Sequence, residues 1–105
     1  MSNNYLLVFH GGSMPESPEE GAKIMQAWTD WFAVLGDALI DGGNPVSQVK
    51  TIASNGFVSD SGANPSSGYS IIKADSLDAA VALAKGCPVL QGGASVEVAE
   101  TFAIM

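Results

Sequence analysis

Gly68-Tyr69-Ser70-Ile71-Ile72-Lys73-Ala74-Asp75, followed by Ser76-Leu77-Asp78-Ala79-Ala80-Val81-Ala82-Leu83-Ala84-Lys85-Gly86-Cys87-Pro88 and then Ala94-Ser95-Val96-Glu97-Val98, reads as strand, capped helix, strand. Tyr69, Ile71 and Ile72 are aromatic or β-branched in a short run, which suits a buried strand. Asp75 or Ser76 is placed to cap a helix, its side-chain oxygen accepting from amides of the first turn. Leu77, Ala80, Val81 and Ala84 recur at i, i+3, i+4 and i+7, so one stripe faces a core. Gly86 suits the left-handed position after a helix, and Pro88 forbids continuation. Val96 and Val98 alternate with Ser95 and Glu97, the period of a half-buried strand.

Outward from this unit, Tyr5-Leu6-Leu7-Val8-Phe9-His10 is apolar at both parities and reads as a central strand covered on both faces, ended by Gly11-Gly12. Ser13 to Glu16 reads as a loop. Ser17-Pro18-Glu19-Glu20 is a helix start, with Ser17 as cap, Pro18 in the first position and Glu20 closing a capping box. The helix is expected to run to about Leu39, with Ile24, Ala27, Trp28, Trp31, Leu35 and Ala38 on its core stripe and Met25 and Phe32 widening it. Asp41-Gly42-Gly43-Asn44-Pro45 ends it. Pro45 to Ile52 is expected as the second strand. Most of Ala53 to Ser67 reads as hairpin loop, with Phe57-Val58 able to extend a strand. The chain closes on an apolar tail, Thr101-Phe102-Ala103-Ile104-Met105.

Residues 1–105 are enough for one domain with one core. Hydrophobic residues at 47% and charged ones at 14% exclude a disordered chain. No apolar run approaches the ~20 residues that span a bilayer, and the N-terminus has no basic leader, so neither a membrane partner nor a signal peptide is expected. The lone Cys87 rules out an internal disulfide and points to the cytoplasm. Net charge is −7, with four dispersed lysines and no arginine. No basic patch can form for nucleic acid, and the bidentate clamp for phosphate or carboxylate is missing. Neutral or apolar ligands remain.

The order β-α-β-β-α-β is the ferredoxin-like α+β plan, an antiparallel sheet with helices on one face. The other face needs a cover, and a partner subunit is the simplest. The expectation is a homodimer packed sheet to sheet, assisted by the apolar tail.

In that layout the chain resembles the YCII-related family, including its DGPF-like members, of the dimeric α+β barrel group. The matching residues are Tyr5-Leu6-Leu7-Val8, Ser17-Pro18-Glu19-Glu20, Leu39-Ile40-Asp41-Gly42-Gly43, Gly68-Tyr69-Ser70-Ile71-Ile72, Ser76-Leu77-Asp78-Ala79-Ala80, Gly86-Cys87-Pro88 and Gly92-Gly93-Ala94-Ser95-Val96-Glu97-Val98. The resemblance implies the fold and the dimer more than a chemistry. The Asp-Gly-Pro-Phe tetrapeptide of one branch is replaced by Ser59-Asp60-Ser61-Gly62-Ala63-Asn64-Pro65. The first-helix histidine that some members pair with an Asp as an acid–base couple is absent, with Gln26 near its place. The activity proposed for those members does not carry over.

His10 is the only histidine, and the only side chain whose ordinary pKa lies near neutrality. It ends a central strand, where a general base oriented by Asp37, Asp41 or Asp60 is one reading, and a structural histidine bonded to a carbonyl or water is the other. Trp28, Trp31 and Phe32, with Tyr69, either line an apolar pocket between the first helix and the sheet or fill a core. Cys87 sits where a helix dipole raises a thiol pKa and reads as a small buried hydrophobe. No spacing matches a metal or nucleotide site, so no cofactor is expected. Two functions follow. One is a small-molecule enzyme or binding protein with His10 as proton carrier. The other is a non-catalytic dimeric module with His10 structural.

Overall fold

The computed structural model of the chain describes residues 3–12, 16–60 and 65–102. Strand β1 (Asn3–His10) leads to helix α1 (Pro18–Leu35), a 3-10 turn at Gly36–Ala38 and strand β2 (Leu39–Asp41). A hairpin of β3 (Lys50–Ile52) and β4 (Val58–Asp60) precedes β5 (Ser66–Ala74), helix α2 (Leu77–Ala84), a second 3-10 turn at Pro88–Gly92 and β6 (Ser95–Glu100). The main sheet has the order β2-β5-β1-β6, and its registered pairs, β2 with β5 and β1 with β5 and β6, are antiparallel. That is the ferredoxin-like plan with a hairpin inserted between its second and third strands. No helix among the described residues is long and apolar enough to cross a membrane.

β1 is central, and alternation divides its side chains. Tyr5, Leu7 and Phe9 are buried under the helices with Ile72 and Ala74 of β5. Trp31 and Leu35 of α1 and Ala80 and Ala84 of α2 close this core, with Cys87 beside them. The α2 stripe runs through Ala80, Leu83, Ala84 and Cys87, while Leu77 at the helix start stays exposed. Met25, expected on the α1 stripe, also faces solvent.

Local chemistry sets the boundaries. The Ser17 Oγ accepts from the Glu20 amide at 3.1 Å, and the Glu20 carboxylate accepts from the Glu16 amide at 3.3 Å. The capping box thus reaches one residue further out than its usual form. Ser76 caps α2 by accepting from the Ala79 amide at 3.1 Å. Helix α1 ends at Leu35, four residues earlier than its periodicity suggests, because Gly36 turns the backbone to a φ of +53°. The residues after it are then free to become β2. The second sheet strand is accordingly Leu39–Asp41 and not 45–52. The latter segment meets the sheet at its start, in an isolated bridge of Pro45 to Gly68, with the Val46 amide donating to the Ser67 carbonyl at 2.9 Å.

Two glycines are placed by space. Gly43, at φ +73°, packs so close to β5 that a Cβ would lie 1.7 Å from the Tyr69 carbonyl oxygen. Gly86 does not take the expected left-handed conformation. It leaves room for the Trp31 indole, which a Cβ would meet at 3.1 Å. That indole donates from Nε1 to the Leu83 carbonyl at 3.1 Å, tying α1 to α2. The loop expectation for residues 13–15 and the last three tail residues, 103–105, lie outside the described residues. Phe102 is exposed.

Candidate active site on the helix-free face

The residues of β1 that turn away from the helices are Leu6, Val8 and His10. Antiparallel register sets Ile71 and Tyr69 of β5 opposite Leu6 and Val8, and Ala99, Glu97 and Ser95 of β6 opposite Leu6, Val8 and His10. Directly opposed residues share a face. This face therefore presents Leu6, Val8, Tyr69, Ile71 and Ala99, all half-buried, with no helix of the described residues over them.

His10 lies at one end of that surface. Its Nε2 is 3.1 Å from Oε1 of Glu97, on the diagonal of the β1–β6 ladder. The histidine side chain is 18% exposed and the glutamate 65%. A carboxylate oxygen only accepts, so in this contact Nε2 is the donor. A carboxylate that fixes the tautomer and orientation of an imidazole is the usual preparation of a general base.

None of the three carboxylates proposed to orient His10 is its partner. Asp37 is exposed in the 3-10 turn before β2, at the other end of the sheet: Leu39 pairs with Ile72, which pairs with Tyr5. Five residues of strand, roughly 17 Å, separate Tyr5 from His10. Asp41 caps its own turn, accepting from the Gly43 amide at 2.8 Å. Asp60 pairs with Lys50 across the hairpin. Glu97 was missed in the sequence, where two signals taken together bear on it. The Ser95-Val96-Glu97-Val98 alternation turns it outward, and the ferredoxin-like plan lays the last sheet strand beside the first.

The aromatic pocket residues separate. Trp28, Trp31 and Phe32 pack on one another in tilted and edge-on pairs, and Trp28 also packs on Phe9, with centroids 5.6 to 5.8 Å apart. Trp31 is buried, and Trp28 and Phe32 pack against the core. They fill the space between α1 and the sheet. Tyr69 is on the opposite side of the sheet, its hydroxyl accepting from Asn44 Nδ2 at 3.4 Å. Ser70, beside it and buried, donates to the Gly42 carbonyl at 2.9 Å and fixes the end of β2. Two open grooves mark the helix side. One, of about 580 Å³, is walled by Ala38, Ala74, Ala79 and Leu83 with Lys73 and Asp75; the other, of about 340 Å³, runs beside Trp31, Gly86 and Pro88. His10 lines neither.

Cys87 is buried, and desolvation pushes its thiol up to about 11 against a lesser opposing effect of a backbone hydrogen bond at Val89. Burial, more than the helix end, keeps it protonated and unreactive. No group of three or more His, Cys, Asp or Glu among the described residues is placed to share a metal ion. No family model matches the chain, and no curated protein matches it.

Proposed function

We propose that this chain acts as a homodimer packed sheet to sheet through its helix-free face, with His10 and Glu97 forming a site on that face for a small neutral or apolar molecule. The observation that carries the reading is the 3.1 Å His10–Glu97 contact on a surface bearing Leu6, Val8, Tyr69 and Ile71. Contiguous apolar side chains on a sheet face without a helix over it are the kind of surface a partner subunit covers. Enclosure between two sheets excludes water and strengthens the electrostatic coupling within the pair. Glu97 holds the imidazole, which exchanges a proton with the bound molecule. A net charge of −7 without arginine disfavours an anionic ligand. The site so read lies on the side of the sheet opposite the α1 aromatics. The order of the sequence pieces shared with YCII-related proteins supports the same dimer, and the single buried cysteine fits a cytoplasmic setting.

A second reading, a non-catalytic dimeric module with His10 structural, is favoured by one observation: the space between α1 and the sheet is filled by Trp28, Trp31 and Phe32. Ligand titrations followed by NMR separate the two. Small aromatic and lactone-like neutral compounds are added to the wild type and to His10→Asn. The site reading expects one compound class to shift His10, Tyr69 and Ile71 together, with at least tenfold weaker binding to His10→Asn. No response at those residues, or equal binding by the variant, leaves the module reading.

A further inference from the structure

We infer that the β3–β4 hairpin is a dimerisation arm that packs against the second copy of this chain. The inference rests on the homodimer proposed above and adds the segment that completes its interface. The hairpin is well formed in itself. The Ala53 amide donates to the Phe57 carbonyl at 2.8 Å, the Gly56 amide to the Ala53 carbonyl at 2.8 Å, and the Phe57 amide to Asn55 Oδ1 at 2.9 Å. Yet all six strand residues are exposed. Ile52 lies opposite Val58, so the two share a face with the mutually neutralising Lys50 and Asp60. Ile52, Phe57 and Val58 keep 71%, 67% and 54% of their surface in solvent. A lone two-stranded ribbon is marginal in water, and one that also exposes its apolar face needs a surface to lie on.

The size of the helix-free face says which surface. Four strands at ~4.8 Å spacing and six to eight residues at ~3.4 Å give a flat area of roughly 400 to 500 Å². β2 supplies only three residues of it. A stable interface takes about 800 Å² of accessible surface from each partner. Even with the roughness of a side-chain surface, the sheet alone falls at the low end, and three large apolar side chains make up the difference. Position agrees. The segment carrying the hairpin leaves the sheet where Pro45 bridges Gly68, and β5 begins at Ser66, the strand partner of His10. A second copy on the helix-free face therefore lies beside the root of the arm. The shape agrees as well: the Cα radius of gyration is 15.1 Å, against about 13 Å for a compact chain of this length.

Sedimentation equilibrium across a dilution series tests this on the full-length chain, on the arm variant Ile52→Thr/Phe57→Ser/Val58→Thr and on the sheet-face variant Val8→Lys. Circular dichroism and thermal unfolding check that each is folded. The expected result is a dimeric wild type, a monomeric Val8→Lys, and an arm variant whose dimer dissociates at concentrations at least tenfold higher than wild type. In parallel, Phe57→Cys carrying a thiol-linked photo-crosslinker, at concentrations where that variant is dimeric, yields a covalent dimer. A dimeric wild type whose arm variant dissociates within twofold of it, or a crosslink formed only within one chain, overturns the arm and leaves the dimer standing. A wild type that stays monomeric overturns the dimer and the arm together.

Discussion

The two faces of the sheet are built from alternate residues of the same strands and have opposite fates. On one, Tyr5, Leu7, Phe9 and Ile72 are buried under a helix layer: Trp28 packs on Phe9 and on Trp31 and Phe32, and a Cβ at Gly42 or Gly86 would meet the Phe32 or Trp31 ring. On the other, Leu6, Val8, Tyr69, Ile71 and Ala99 stay half-buried, and the His10–Glu97 pair lies at one end of them. The first face accounts for the fold of the single chain. The second is the face on which the proposed function is placed, because an acid–base pair is useful only where something can reach it or be enclosed with it.

The largest effect expected on the helix side is that of Trp31→Ala. It removes a buried indole, its hydrogen bond to the Leu83 carbonyl and the contact with Gly86 at once. A loss of about 3 to 5 kcal/mol in urea unfolding is expected. A loss under about 1 kcal/mol would mean that the face is loosely packed and able to admit a ligand, reversing the contrast drawn here.

Next comes an alkaline effect of Cys87. Its folded pKa, about 11, lies above the unfolded value of 9.0, so the folded chain holds the proton more tightly. The contribution is complete below pH 9 and is lost as pH rises from 9 towards 11. At ~1.4 kcal/mol per pKa unit it amounts to roughly 2 to 3 kcal/mol. The difference in slope between wild type and Cys87→Ala over that range measures it; parallel curves would place the thiol in water.

The smallest change carries the opposite sign. The Tyr5 hydroxyl is buried without a hydrogen-bond partner among the described residues. A buried orphan polar group costs about 1 to 3 kcal/mol, so Tyr5→Phe is expected to raise stability by about 1 kcal/mol. A thermal midpoint lowered by the substitution would show that the hydroxyl has a partner and that the helix face is wetter than described.

Much of the fold was legible because local signals agreed with the global plan. Ser17 and Ser76 announce both helices, and the unbroken apolar run of β1, the aromatic and β-branched run of β5 and the alternation of β6 place three of the four sheet strands. The fourth was misread for a physical reason. Leu35, Ala38 and Leu39 continue the α1 periodicity, and Val46, Val49 and Ile52 look more strand-like than Leu39-Ile40-Asp41. The break is conformational, at Gly36, and β2 is chosen by its fit against Ile71 and Ile72, which no local pattern reveals. The candidate site was half legible. His10 stood out as the only histidine, whereas its partner is determined by register between residues 87 positions apart. The carboxylates favoured from sequence are each engaged or placed elsewhere. Of the aromatic residues weighed as pocket or core, Trp31 is buried and Trp28 and Phe32 pack against the core, while Tyr69 lies on the other face of the sheet.

The most direct test compares the methyl groups of the two faces by NMR in the presence of a soluble paramagnetic agent, at protein concentrations that favour association. The account predicts that the methyls of Leu6, Val8 and Ile71 are shielded as strongly as those of Leu7, Leu35 and Ile72, and that this shielding is lost on dilution. Methyls of Leu6, Val8 and Ile71 broadened as strongly as those of exposed Val34 at every concentration would contradict it.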